Sequence, residues 1–193
     1  DSPIVGADSG QVRVYEWSEN VGWVKMGQDL DGESSGDQSG LSVSLSSDGT
    51  TVASGSFHNG EYGQVRVFKW NGNWWERKGE NLEGDSDFRQ SGISTSLNST
   101  GDVVAIASSN GQVRAYHYVG NRWLRLGQTV DLRVPNDWRT CNRCDRSLCV
   151  SLSADGRSFS VGAHEQDGGE PPQVRAGRVK IFDFVDGGWR QFG

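Results

Sequence analysis

Leu41, Val43 and Leu45 alternate with Ser42, Ser44 and Ser46. A period of two predicts a strand with one apolar and one polar face. The alternation returns in Ile93-Ser-Thr-Ser-Leu and in Leu148-Cys-Val-Ser-Leu. Asp48-Gly49 and Asp155-Gly156 follow as tight turns, because such pairs reach positive φ at little cost. Second strands are expected at 51–56, 103–108 and 158–163. Third strands at 65–70 and its counterparts, and short fourth strands at 75–78 and its counterparts, complete the set. Gly72, Gly120 and Gly187 mark the turns between third and fourth.

These pieces repeat. Gly-Gln-Val-Arg-Val-Tyr/Phe-x-Trp occupies 10–17 and 63–70, and worn copies occupy 111–118 and 177–184. Each copy continues into Trp and then Gly, at Trp23/Gly27, Trp75/Gly79, Trp123/Gly127 and Trp189/Gly193. Four short strands in roughly 50 residues is the unit of a β-propeller blade. One such sheet cannot bury both faces, so neighbouring blades pack face to face and ring closure protects the edges. The expected division is a partial blade over 1–30, blades over 31–79 and 80–128, and a blade over 129–193 with an insertion at 129–147. The first unit opens at a second strand, 4–7, and no first strand for it appears at either end. The expected fold is therefore all-β, a propeller segment of a larger ring; a small four-bladed ring is the alternative.

The order Ser-Val-Ser-Leu-Ser-x-Asp-Gly, Val-Ala-Ser-Gly-Ser, Gly-Gln-Val-Arg-Val resembles a WD40-type blade. The Trp-Asp dipeptide and the Gly-His pair of that family are missing: Trp17 precedes Ser18 and Trp70 precedes Asn71. The chain resembles more closely the tandem roughly 50-residue propeller-like repeats of large algal and bacterial cell-surface proteins. Their Gly-Glu-x-x-Gly-Asp-x-Ser-Gly run is matched within 28–40, partly at 80–92, and lost between 129 and 146. That resemblance implies an adhesive or matrix-building role.

Composition narrows the classes. The 193 residues are 34% hydrophobic, with 27 Gly and 8 Trp, which suits short strands and many turns. A net charge of −6 and a pI near 5.0 exclude a general nucleic-acid binder, which needs a basic footprint. No apolar run reaches the roughly 20 residues of a membrane helix. Insertion into a membrane is not expected.

Candidate chemistry is sparse. Cys141, Cys144 and Cys149 lie in or beside the insertion. A disulfide that pins the long loop is favoured over free thiols or a metal site, with the pairing open. Cys149 stands where Ser42 does, so a small core residue is the other expectation for it. Asn98-Ser-Thr is a glycosylation sequon in an expected turn. Asp31, Glu33 and Asp37 offer hard oxygens to Ca²⁺, the one candidate ion; solvated loops, with Asp37 capping its own loop, are the favoured reading. Arg13, Arg66, Arg114 and Lys180 recur mid-strand and read as inter-blade packing, paired with acids or stacked on Trp. Trp23, Trp75, Trp123 and Trp189 recur in register and read as packing anchors. Trp138, with Arg139 and Arg143 beside it, lies in the insertion and is the expected partner contact. The three histidines occupy different places in their units, and no nucleophile elbow or P-loop occurs.

The expected function is a non-catalytic binding or structural module of a secreted or cell-surface protein, in adhesion or extracellular assembly. Its partners would be proteins, glycans or other parts of a longer chain. An intracellular WD40-like scaffold is the alternative. A glycan-active propeller enzyme is the second, and it would need a metal or an acid–base pair in the central channel.

Overall fold

A computed structural model of the chain describes residues 6–132, 148–163 and 177–193. All regular structure there is strand. The first unit holds β1 (Gln11–Val12), β2 (Tyr15–Ser18), β3 (Gly22–Lys25) and β4 (Leu30–Asp31). The second holds β5 (Ser42–Leu45), β6 (Thr51–Ser56), β7 (Gln64–Trp70), β8 (Trp75–Arg77) and β9 (Leu82–Glu83). The third holds β10 (Ser91–Leu97), β11 (Val103–Ser108), β12 (Gln112–Val119), β13 (Arg122–Arg125) and β14 (Val130–Asp131). The fourth holds β15 (Leu148–Leu152), β16 (Ser158–Ala163), β17 (Arg178–Val185) and β18 (Gly188–Phe192).

Units two to four are antiparallel meanders, β5-β6-β7-β8, β10-β11-β12-β13 and β15-β16-β17-β18. In the first unit β2 pairs β3 and β1 pairs β4. The two-residue strands β4, β9 and β14 pair back onto β1, β7 and β12. Alternation did not predict these three, since two residues have no period. Each nevertheless starts seven positions after its unit's Trp, at Leu30, Leu82 and Val130, and that fixed offset is the signal that could have found them.

Three apolar clusters lie between successive sheets. Val12, Val14 and Leu30 meet Val52, Phe68 and Trp75. Ala53, Val65, Val67 and Leu82 meet Leu97, Val104, Ile106 and Trp123. Ala105, Ala107, Val113 and Ala115 meet Val150, Phe159, Val161 and Trp189. This face-to-face stacking of meanders is the blade arrangement that the repeat predicts.

Polar bonds lock the same seams. At the outer edge, each indole N–H donates to the carbonyl just past the preceding fourth strand: Trp75 to Met26 (2.9 Å), Trp123 to Lys78 (2.7 Å) and Trp189 to Leu126 (2.7 Å). Gln28 clamps Trp75 by accepting its backbone N–H (2.9 Å) and donating to its carbonyl (2.7 Å). Gln128 clamps Trp189 in the same way. Glu80 accepts the N–H of Trp123 (3.2 Å), but a carboxylate has no donor for the second bond. Gly79 and Gly127 sit directly against the next Trp; a Cβ there would come within 2.8 and 2.9 Å of the indole of Trp123 and of Trp189.

At the inner edge, serines of one first strand reach the next. Ser42 Oγ donates to the Gly92 carbonyl (2.8 Å), and Ser44 Oγ accepts the Leu97 N–H (2.9 Å). Ser94 Oγ and Ser96 Oγ accept the N–H groups of Val150 (3.1 Å) and Leu152 (2.9 Å). The polar half of the alternation therefore joins blades instead of facing solvent.

Two expectations need correction at the ends of the stack. Trp23 is 68% exposed and packs edge-on against Trp17, and no described sheet precedes the first unit to cover it. Cys149 is exposed on β15 and has no bridge among the described residues, so it is not a core residue, while the other two cysteines of the expected disulfide lie outside those residues.

Candidate functional site

Two surfaces gather chemistry-bearing side chains. The first is a row of loops at the blade rims. Asp37 Oδ2 accepts the N–H groups of Glu33 (2.9 Å) and Ser34 (2.8 Å) and a donor from Asn59 (2.9 Å), which is the loop-capping role expected of it. Glu33 accepts from Gln64 and Arg77, each at 2.7 Å, with Arg66 at 3.7 Å. Burial opposes ionisation of Glu33, but these hydrogen bonds and the two guanidinium charges outweigh it and hold the carboxyl below its ordinary value. Asp31 Oδ1 accepts from Gln11 at 2.5 Å. Asp31, Glu33 and Asp37 thus each engage protein donors, and among the described residues no group of acids, histidines and cysteines is arranged to hold a metal.

Arg66 is buried and donates to the Asp31 carbonyl (2.6 Å) and Ser39 Oγ (2.9 Å). Burial pulls its pKa below the ordinary value despite the nearby Glu33. Its guanidinium lies over Phe68. Arg114 repeats the pattern, donating to both oxygens of Asp85 (2.8 and 3.3 Å) over Phe88 at 4.2 Å. Both arginines therefore do pack between blades, stacked on Phe where Trp was one expectation. Arg13, with no described sheet before it, pairs with Asp29 at 3.1 Å and stays half exposed. Lys180 lies partly buried on β17.

The second surface is an apolar groove of about 640 Å³ beside the first unit. Val12, Val14, Tyr15 and Trp23 form one wall, and Val43, Leu45 and Val52 the other. Leu41, Val43 and Leu45 are all exposed, whereas their counterparts Ile93, Thr95 and Leu97 are buried. The exposed face of β5 is the face that β10 and β15 turn toward a preceding first strand. Among the described residues no strand holds that place for β5.

Asn98 also needs correction. It is 5% exposed, and Nδ2, the atom a glycan would join, donates to Thr100 Oγ1 (3.0 Å) and Asp102 Oδ1 (2.6 Å). Oδ1 accepts the N–H groups of Asp102 and Val103. Ser46 and Ser153 fill the same place in their turns, each donating to an Asp at 2.6 Å and accepting a strand N–H at 2.9 Å. Asn98 holds a turn and the folded chain gives a glycan no access to it. Trp74 is exposed, its indole on Glu76. Trp138, Arg139, Arg143, Cys141 and Cys144 lie outside the described residues. Sequence reasoning missed the apolar groove and the Gln28/Glu80/Gln128 clamps; the clamps' constant offset of five from each Trp was the available signal.

No family model matches the chain, and no curated protein matches it. Solved structures do. A putative 6-phosphogluconolactonase from Bacteroides uniformis aligns with a TM-score of 0.61 at 14% identity, over 95% of this chain and 51% of that one. Another from Bacteroides fragilis aligns at 0.56 and 18%, over 95% and 51%. Saccharomyces cerevisiae Sqt1 aligns at 0.51 and 15%, over 79% and 34%. The likeness is one of fold. The chain is an all-β, propeller-type stack of blades that spans about half the length of the first two of these structures. At such identities a neighbour's activity does not transfer with its fold.

Proposed function

We propose that the chain is a non-catalytic binding or structural module of a secreted or cell-surface protein, acting in adhesion or extracellular assembly. The observation that carries this reading is where the repeated polar chemistry goes. Arg66, Glu33, Arg77, Arg114 and Asp85 bond to one another across seams, and the serines bond first strands together. Side chains of catalytic type are thereby spent on rigidity. Among the exposed apolar side chains are the aromatics Tyr15, Trp17, Trp23, Trp74 and Phe192, beside aliphatics such as Val43 and Val179, a surface suited to protein or glycan contact. The sequence resemblance to cell-surface repeats supports the same location. Trp138, Arg139 and Arg143 belong to this reading as further contact residues, and any ion held by the rim loops would be Ca²⁺.

The test is surface accessibility on the source cells. Membrane-impermeant biotinylation followed by fractionation should label the chain and recover it from the surface or the medium. Recovery only from the unlabelled soluble fraction, in a stable protein complex, would replace this reading with an intracellular scaffold.

A further inference from the structure

The seam between the third and fourth blades holds a cleft of about 620 Å³, between the turns at 98–102 and 154–157. The geometry points to a primary alkylammonium group as its ligand, carried either by a lysine side chain of a partner or by a free amine. This goes beyond the proposed function and does not depend on it, because it rests on two equivalent seams of one chain.

The seam between the second and third blades already contains such a group. Lys78, three residues after Trp75, donates from Nζ to the Gly101 carbonyl (2.7 Å). Its ammonium lies 4.9 Å from the Tyr118 ring and 5.9 Å from the Trp123 ring. Around it stand Lys69, Asp102 and Asp48, so two cations face two carboxylates. The cradle recurs one seam on without the lysine. Gly156 takes the place of Gly101: φ is positive at both (73° and 69°), and a Cβ on either would strike the preceding blade, at Val103 and at Thr51. Phe184 and Trp189, 5.2 Å apart, stand where Tyr118 and Trp123 do. The residue three after Trp123 is Leu126, which lines the cleft and carries no ammonium. No described residue donates to the Gly156 carbonyl. Three carboxylates, Asp102, Asp155 and Asp186, border the cleft against one guanidinium, Arg157. His117 lies 3.9 Å from Asp102, and Arg190 shares Asp186 at 3.1 Å. The cleft lies at the end of the sheet away from Leu148, Ala163 and Arg178. An entering ammonium would meet a free carbonyl, two aromatic rings and an excess of negative charge, with Leu126 beside its alkyl stem.

The probes are n-butylammonium and the blocked peptide acetyl-Gly-Lys-Gly-amide, titrated into the 193-residue chain and followed by amide NMR shifts. Both should saturate one site, half-filled on the order of 1–10 mM, with the shifts gathered at Leu126, Gly156 and Phe184. The same peptide acetylated on its lysine keeps the stem, loses the charge and should not bind. Leu126→Lys supplies the ammonium from within, at a position where the equivalent seam already holds Lys78. It should weaken binding by about tenfold or more through intramolecular competition, with the circular dichroism spectrum unchanged. Should that chain not fold, Asp155→Asn combined with Asp186→Asn, both at exposed positions, reads the same site and should weaken binding by about threefold or more. Tighter binding of the peptide than of butylammonium assigns the site to a protein lysine; binding no tighter assigns it to a small amine. Absence of saturation to about 50 mM of either probe, beyond the range of even a feeble specific contact, overturns the proposal. So does equal binding of the acetylated peptide, which would mean that charge is not what is recognised. Unchanged binding to a folded variant places the probe elsewhere and overturns it too.

Discussion

Trp23 and Trp123 occupy the same position of the repeat but different surroundings, and replacing each by alanine isolates what the seam contributes. Trp123 is 5% exposed, donates to the Lys78 carbonyl and lies 5.0 Å from the Tyr118 ring. A buried aromatic of this size removes about 150–250 Å² from water, or roughly 4–6 kcal/mol at 25 cal/mol/Å². Observed Trp→Ala losses of about 3–5 kcal/mol agree with that upper estimate. Trp123→Ala should therefore cost about 4 kcal/mol, a large share of the ~5–15 kcal/mol by which a domain is stable. Trp123→Phe keeps most of the ring but strands the Lys78 carbonyl, for about 2 kcal/mol. Trp23→Ala loses only the edge contact with Trp17, about 1 kcal/mol or less. Urea unfolding followed by far-ultraviolet circular dichroism gives all three values, with an unchanged slope as the sign of an unchanged transition. Equal losses at Trp23 and Trp123 would refute the reasoning, because the first unit's outer face would then be covered.

Asn98→Ala removes the acceptor for two N–H groups and should cost about 1–2 kcal/mol, while Asn98→Ser restores the chemistry of Ser46 and Ser153 and should cost under about 0.5 kcal/mol, both read by thermal unfolding. The Arg114 hydrogen bond holds the Asp85 carboxyl below its ordinary value. A depressed carboxyl stabilises the fold above the unfolded pKa and loses that contribution as pH falls through the folded one. The acid limb of a stability–pH profile should therefore be shallower in Asp85→Asn, by an amount reduced because Asp85 is half exposed. Identical limbs would show that the pair does not contribute.

The alternation of serines with aliphatics fixed the first strands, and the Trp-Gly spacing fixed the last. Predicted strands at 51–56, 103–108 and 158–163 coincide with β6, β11 and β16. The repeat did not reveal which copies lacked a neighbour, since Trp23 and Trp75 read alike as letters and only stacking separates them. The same limit hid the apolar groove: Val43 is exposed because no described strand packs on that face of β5, and no local pattern records that. Asn98 read as a sequon because its three letters fit, although what its turn needs is a side chain that both donates and accepts, as Ser46 and Ser153 do in theirs. The roles of Cys141, Cys144 and Trp138 lie outside the described residues.

The three clamps differ by one atom type, and this grades the stack. Gln28 and Gln128 each tie two bonds across their seams, whereas Glu80 ties one. Because each blade touches only its neighbours, cohesion is a sum over successive seams. The cost of opening is then local, and the clamp is thinnest between the second and third blades. Under a pull along the chain, that clamp gives way after one bond where each of its two counterparts must break two.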